Sequence, residues 1–105
     1  MSEYRVVFCT IDSLINAKKL AHNLVENKLV ACVNIISGVT SVYEWKGEVS
    51  EDSEYLLIIK TKSDLYEKLE QKIKELHPYE VPEIISLKID KASQSYLDWI
   101  DKNTL

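Results

Sequence analysis

The chain of 105 residues is 46% hydrophobic and 29% charged, and its formal net charge is −4. This length suits one domain, so residues 1–105 are predicted to form a single folded unit. With only two glycines and two prolines, the composition excludes collagen-like and low-complexity chains. The net negative charge also gives no support to a nucleic-acid partner.

Two cysteines, Cys9 and Cys32, are too few for the disulfide framework of a small secreted domain. The first residues lack the basic segment and apolar stretch of a signal peptide. No apolar run approaches the roughly 20 residues that cross a bilayer. We therefore expect a cytoplasmic protein with reduced thiols and no membrane partner.

The first predicted elements are a strand and an amphipathic helix. Residues 4–9 are rich in β-branched and aromatic side chains, which is typical of a strand. Asp12 or Ser13 can cap the following helix by accepting a backbone N–H. The helix is predicted to run to about Asn27. Apolar residues at helical spacing predict its buried stripe: Ala17, Leu20, Ala21, Leu24 and Val25.

A long hairpin is predicted next. Residues 29–36 form an almost continuous apolar run, which favours a strand covered on both faces, and Ser37-Gly38 interrupts it as a bulge or bend. Lys46-Gly47 is a turn signal, and residues 54–62 form the next apolar strand after a polar, acidic stretch. The arms are about twice as long as a typical strand of ~5–6 residues.

The second half predicts helix, strand and helix. Ser63 is the expected cap of a helix that Pro78 stops, because a proline disfavours helical angles in the residue before it. Residues 83–90 are predicted as the fourth strand and residues 93–102 as a C-terminal helix. The apolar stripe of the middle helix is predicted to be Leu65, Leu69, Ile73 and Leu76.

The element order is therefore β-α-β-β-α-β-α. Two β-α-β crossovers that share a central hairpin give an α+β, ferredoxin-like split β-α-β sandwich, here with a long hairpin and an extra C-terminal helix. The two amphipathic helices cover one sheet face. The other face and the overlong hairpin lack a cover within the chain, so partner subunits are expected to supply it.

Several segments together resemble the CutA family of divalent-cation tolerance proteins, in the family's order and over nearly the whole chain. The resemblance implies a homotrimer with an architecture similar to the PII signal-transduction proteins, and a link to copper and other divalent metals. The segments that carry it are Leu29-Val30-Ala31-Cys32-Val33-Asn34, Ser41-Val42-Tyr43-Glu44-Trp45-Lys46-Gly47, Glu54, Lys60-Thr61, His77-Pro78-Tyr79-Glu80-Val81-Pro82-Glu83-Ile84 and Tyr96-Leu97-Trp99-Ile100.

The resemblance also implies metal ligands. The family's proposed copper ligands match Cys9 and His77, while the position of a further histidine is Leu76 here. Glu80, Glu83 or a residue of a neighbouring subunit could complete such a site. The residues themselves leave other interpretations open, since Cys9 also fits a buried strand position and His77 also fits a helix cap.

A second group of residues is a candidate cleft. Tyr43, Trp45 and Tyr79 fit either a buried subunit interface or a ligand pocket. Lys60 is expected to pair with a carboxylate such as Glu83 across the sheet. The acidic stretch 48–54 is interpreted as a solvated hairpin edge without the fixed geometry that selects a metal.

The leading functional hypothesis is a non-enzymatic, homotrimeric protein that binds divalent metal ions, copper among them. The alternative is a PII-like regulatory module that binds a small anionic metabolite between subunits through Lys60 and the loop 77–83. A weaker hypothesis is a hydrolase with Cys9 as nucleophile, although no known catalytic motif occurs in the sequence. No organic cofactor is implied.

Overall fold

A computed structural model describes residues 3–105, which form one antiparallel sheet and three α-helices. The strands lie in the order β2-β3-β1-β4. This is the predicted α+β, ferredoxin-like arrangement. Its elements are β1 (Tyr4–Ile11), α1 (Leu14–Glu26), β2 (Cys32–Trp45), β3 (Glu48–Lys62), a short 3-10 helix (Ser63–Leu65), α2 (Tyr66–Leu76), β4 (Ile85–Lys88) and α3 (Gln94–Lys102).

Helix α1 begins and ends close to the predicted residues. Of the two candidate caps, Ser13 is the residue used, because its side chain accepts a hydrogen bond from the Asn16 backbone N–H. Four members of the predicted stripe are buried, but Val25 is 42% exposed. Val25 lies one position beyond Leu24, where the helical rotation has already turned the side chain from the sheet.

The central hairpin is longer than predicted at its tip. Lys46 and Gly47 join β2 to β3 with φ angles of 52° and 83°, as a two-residue hairpin turn requires. The pairing shifts between Ile36 and Val39, which confirms the bulge at Ser37-Gly38, where Gly38 has a φ of 80°. The acidic stretch 48–54 belongs to β3 and pairs with β2, whereas residues 29–31 precede β2.

The far part of this hairpin extends beyond the other strands. Strand β1 pairs with β3 only from Tyr55 to Lys62, so residues 39–54 are joined to the sheet through the hairpin alone. We call residues 39–54 the hairpin arm. The molecule is accordingly 45 Å long but only 26 and 23 Å across.

Helix α2 differs from the prediction at its start. Ser63 does not cap it: the Ser63 hydroxyl accepts a hydrogen bond from Arg5 Nε, and a 3-10 turn leads into the helix. At the other end, α2 stops at Leu76, and His77 is extended, as the following proline predicts. Leu76 is 45% exposed, so the predicted stripe ends at Ile73.

The last strand and helix complete the sheet. Strand β4 is only four residues long, shorter than the predicted 83–90, and Ser93 caps α3 by accepting from the Tyr96 backbone N–H. Helix α3 packs against β3 and buries Ile100. The Asp101 carboxylate of this helix accepts a hydrogen bond from the Tyr4 hydroxyl.

The main core fills one side of the sheet, while α3 lies at one end of the other side, where Tyr4 and Lys62 donate hydrogen bonds to Asp101 and to the Leu105 carbonyl. On the core side, helices α1 and α2 pack against inward residues of β1 and β3 such as Val7, Cys9, Leu57 and Ile59, all fully buried. The alternating residues on the opposite side are also apolar, which matches the predicted need for a second cover. We call this second side the open face: Val6, Phe8, Leu56, Ile58, Ile85 and Leu87.

Among residues 3–105, no helix has the length and the apolar composition that crossing a membrane demands.

Candidate functional site

An open pocket of about 550 Å³ lies where three parts of the chain meet: the hairpin arm, the loop between α2 and β4, and the end of β1. This volume is in the range of small-molecule sites. Its lining combines aromatic rings with carboxylates. The residues that line it are Thr10, Ser41, Val42, Tyr43, Trp45, Asp52, Glu54, Tyr79, Glu80, Val81 and Glu83.

The hairpin arm contributes one wall through strand alternation. Ser41, Tyr43 and Trp45 lie on one face of β2, because successive side chains of a strand point to opposite sides. The register pairs Ser41 with Asp52, so Asp52 lies diagonally across from Tyr43. The Tyr43 hydroxyl donates a hydrogen bond to Asp52 Oδ2, and this bond is the main cause that raises the pKa of Tyr43.

The loop after α2 contributes the opposite wall. Pro78 ends the helix, and the loop turns back so that the Tyr79 hydroxyl donates to Glu54 Oε2 over 2.7 Å. Burial, and then this hydrogen bond, raise the pKa of Tyr79 above its usual value. Tyr79 is therefore a neutral donor, and it ties the loop to the hairpin arm.

Glu54 is the most deeply placed acid of the pocket. It is only 7% exposed, and the Tyr79 hydroxyl is its side-chain hydrogen-bond partner. No basic side chain among residues 3–105 lies within ion-pair distance of it. A buried carboxylate without a counter-ion is costly, so this position favours a cation.

The charges around Glu54 have one sign. Asp52, Glu80 and Glu83 also line the pocket, and the part of the lining that the structure describes contains neither lysine nor arginine. Clefts lined by one sign of charge concentrate ions of the opposite sign. The electrostatics therefore favour cations and disfavour the small anionic metabolite of the alternative hypothesis.

His77 lies behind the pocket with both ring nitrogens engaged. Nδ1 accepts a hydrogen bond from the Tyr79 backbone N–H over 3.1 Å, which assigns the proton to Nε2, 2.7 Å from the Thr10 carbonyl oxygen. His77 is 7% exposed. In this geometry His77 holds the Tyr79 loop against the end of β1 and presents no free nitrogen to a metal.

Cys9 is also internal. It is fully buried in the core below β1, and its sulfur lies 3.7 Å from the same Thr10 carbonyl oxygen. Burial first, and then the charges of Glu83 and Glu54, raise the pKa of the Cys9 thiol to about 12. A protonated, enclosed thiol is a poor nucleophile and a poor metal ligand.

The raised pKa of Cys9 predicts a specific pH dependence of folding. A thiol has a usual pKa of 9.0, so the stability that comes from a protonated Cys9 is complete below pH 9. It is lost as the pH rises from 9 towards 12, because only the unfolded chain ionises freely in that window. We expect urea denaturation to show a smaller alkaline loss of stability for Cys9→Ala than for the wild type. Equal losses in the two proteins would contradict a protonated Cys9.

The remaining predicted residues divide into two groups. Glu80 and Glu83 line the pocket with Tyr43, Trp45 and Tyr79. Lys60 does not: its ammonium donates to Asn34 Oδ1 and lies 4.0 Å from Cys32 Sγ across β2 and β3. The predicted Lys60–Glu83 pair is therefore wrong. Lys60 lies opposite Cys32 of β2, and its ammonium group is directed to the neighbouring Asn34.

Sequence reasoning missed Asp52, Glu54 and Thr10 as pocket residues. The sequence pattern favours a solvated edge for the acidic residues, yet the hairpin turn carries a signal for their position. A two-residue turn at Lys46-Gly47 fixes the register of the whole hairpin arm. Counting back from this turn places Asp52 opposite Ser41 and beside the predicted aromatic wall.

A dehydrated metal ion needs several donors that converge on one point. Within residues 3–105, no group of three or more His, Cys, Asp or Glu side chains has that arrangement. The four carboxylates surround a wide space. One chain therefore offers a metal ion negative charge and oxygen ligands, but no closed coordination shell.

Comparison with known proteins gives one consistent family. Residues 5–103 match the family model described as CutA1 divalent ion tolerance protein. The chain is 50% identical over 99 residues to the divalent-cation tolerance protein CutA of Thermus thermophilus. The aligned region covers 94% of this chain and 96% of that protein. It is 48% identical to the chloroplastic protein CutA of Arabidopsis thaliana, but it spans about half (54%) of that longer relative.

Solved structures agree. The Thermus thermophilus protein has a TM-score of 0.93 with 48% sequence identity, and the aligned region covers 96% of this chain and 98% of that one. CutA1 from Oryza sativa has a TM-score of 0.96 with 42% identity, covering 98% and 94% of the two chains.

Proposed function

This chain belongs to the CutA1 divalent ion tolerance family, and we propose that it acts in divalent-cation tolerance as a homotrimer that binds hydrated metal ions in the acidic pocket. The observation that carries the metal site is Glu54, a carboxylate only 7% exposed and without an ion-pair partner among residues 3–105. Family membership supports the role in divalent-cation tolerance itself.

The proposed role is binding and not catalysis. The family is described by tolerance of divalent ions and not by a reaction. Cys9 does not support the hydrolase hypothesis, since it is fully buried with a pKa of about 12. A cysteine nucleophile needs an accessible sulfur and a lowered pKa.

Two features support the trimer. The open face exposes apolar side chains on the side of the sheet opposite the core, with Ile85 and Leu87 about half exposed. The hairpin arm extends past the other strands and carries further exposed apolar residues, Val42 and Val49. Association through these surfaces removes them from water. Thr10 and Glu54 continue the alternation of the open face, so a neighbouring subunit there also borders the pocket.

The proposed metal interaction is mainly through the ion's water shell. Carboxylate oxygens suit hard divalent ions, which often keep several bound waters. The pocket of about 550 Å³ leaves room for a hydrated ion. Such binding is electrostatic, so it weakens with salt and discriminates poorly among hard divalent ions.

Copper binding by Cys9 and His77 stays a prediction. It requires the His77 ring to give up its hydrogen bonds to Thr10 and Tyr79 and the Cys9 thiol to lose its proton. The acidic pocket requires neither change, which is why we favour it. The anionic-metabolite alternative has no comparable support, because Lys60 is directed to Asn34.

Calorimetric titration with Mn²⁺ tests the proposed site. We expect Glu54→Gln to weaken Mn²⁺ binding by about 10-fold or more, because it removes the least solvated charge of the pocket. The matched control is Glu51→Gln, which removes the same charge from the opposite face of β3 and is expected to change the affinity by less than about 2-fold. Equal affinities for wild type and Glu54→Gln would refute the pocket as a metal site.

A parallel titration with Cu²⁺ tests Cys9 and His77 as copper ligands. Unchanged Cu²⁺ affinity in Cys9→Ala and His77→Gln is expected if the pocket is the metal site. A large loss in both variants, with Glu54→Gln unaffected, would restore Cys9 and His77 as ligands.

We also propose a cytoplasmic location. Cys9 and Cys32 are free thiols and are not bonded to each other, as in reducing compartments. Since some relatives are named chloroplastic or periplasmic, cell fractionation followed by immunoblotting is the direct test.

A further inference from the structure

A hydrated metal ion does not account for the aromatic part of the pocket. Tyr43 and Trp45 are 40% and 45% exposed on the hairpin arm. Tyr79, on the loop after α2, and four carboxylates line the same pocket. The rings and the carboxylates line the same space, so a ligand of this pocket meets both.

We propose that the pocket binds an organic ammonium ion, with the charged nitrogen among the carboxylates and its alkyl part against the rings of Tyr43 and Trp45. Aromatic faces attract cations and form the cages that recognise quaternary and methylated ammonium groups, while carboxylates accept charge-assisted hydrogen bonds from ammonium groups that carry N–H. A volume of about 550 Å³ suits a small organic molecule.

The hydrogen bonds of the pocket support this ligand class. Tyr43 donates to Asp52 and Tyr79 donates to Glu54. Each phenol thus fixes a carboxylate beside an aromatic ring and leaves the remaining lone pairs of that carboxylate free to accept from an ammonium group. An anion would meet four carboxylates and no lysine or arginine in the described lining, and a neutral ligand would leave the charge of Glu54 unbalanced.

The ammonium site lies in the same pocket as the proposed metal site and therefore rests on that proposal. The ammonium proposal can nevertheless be disproved while the metal proposal holds. A hydrated metal ion needs the carboxylates and makes no use of the rings. An organic ammonium ion needs both. Loss of the aromatic ring at position 45 therefore distinguishes them.

Tryptophan fluorescence provides the test, because one of the two tryptophans is in the pocket. Trp99 stacks on Tyr96 in α3, away from the lining, and Trp99→Phe leaves Trp45 as the reporter. The probes are 1,4-diaminobutane and choline, which separate primary from quaternary ammonium ions. Their neutral counterparts are 1,4-butanediol and 3,3-dimethylbutan-1-ol. We expect saturable changes with at least one cation and none with either alcohol.

Variants then test the two halves of the pocket by calorimetry. Trp45→Leu is expected to weaken ammonium binding about 10-fold while Mn²⁺ binding stays within about 2-fold of wild type. Glu54→Gln is expected to weaken ammonium binding by about 10-fold or more, and Glu51→Gln by less than about 2-fold.

Three results would overturn the inference. The first is an equal response to the diamine and the diol, which would indicate apolar contact alone. The second is unchanged ammonium affinity in Trp45→Leu. The third is absence of ammonium binding to the wild type. If Glu54→Gln then also dissociates the assembled protein, the pocket is assigned to a basic side chain of a second copy of the chain.

Discussion

Replacing Ile58 with aspartate is expected to convert the proposed trimer into monomers. Ile58 lies in the middle of the open face, paired with Phe8 of β1 and Asn34 of β2. In a trimer, each copy of the variant loses about 1.5–3 kcal/mol of apolar burial and places an unpaired charge in the contact. Light scattering should show a mass of 12.1 kDa where the wild type shows three times this value.

Two further variants keep this result interpretable. Ile36 lies opposite Leu56 on the same sheet face and is already 44% exposed in the single chain, so the monomer tolerates Ile36→Asp. We expect this variant to be monomeric too, which keeps the test valid if Ile58→Asp fails to fold. Ile15→Asp is the matched control, since Ile15 is 68% exposed on α1, on the other side of the sheet. We expect Ile15→Asp to remain a trimer. A trimeric mass for a folded Ile58→Asp would contradict the open-face interface.

Replacing His77 with phenylalanine is expected to destabilise each chain by about 2–4 kcal/mol. In the variant the Tyr79 backbone N–H loses its acceptor, and the Thr10 carbonyl keeps only the weak Cys9 S–H donor. The His77 ring nitrogens now lie 3.1 and 2.7 Å from these two groups. A buried polar group that loses its partner costs about 1–3 kcal/mol. Urea denaturation at one fixed protein concentration measures the loss, because the stability of an oligomer depends on concentration.

The other histidine supplies the control for this prediction. The side chain of His22 is 76% exposed on α1, so His22→Phe is expected to change stability by less than about 0.5 kcal/mol. Similar losses for the two variants would show that the hydrogen bonds of His77 do not hold the Tyr79 loop in place.

Most of the fold follows from local signals in the sequence. The turn at Lys46-Gly47, the bulge at Ser37-Gly38 and the stop at Pro78 each depend on backbone angles that few residues adopt, so they were predictable. Ser63 shows the limit of such signals. A serine before a helical pattern predicts a helix cap, but the Ser63 hydroxyl accepts a hydrogen bond from the distant Arg5 instead. Contacts between residues 58 positions apart have no local signature.

The candidate site was predictable to a lesser degree. Alternation along β2 grouped Tyr43 with Trp45, and the family resemblance added Tyr79, Glu80 and Glu83, which the pocket brings together. The hydrogen bonds that define its chemistry join separate elements, as Tyr79 does with Glu54 over 25 positions. The engagement of both His77 nitrogens likewise depends on where the end of β1 lies. Such tertiary contacts required the structure.

If one pocket binds both metal ions and organic ammonium ions, as we propose, the two kinds of cation compete for it. The EPR signal of free Mn²⁺ disappears when the ion binds the protein and returns when it is released. We predict that 1,4-diaminobutane releases bound Mn²⁺ from the wild type, and that Trp45→Leu needs about 10-fold more diamine for the same release. Simultaneous, independent binding of Mn²⁺ and the diamine would contradict a shared site, because both cations require the Glu54 carboxylate.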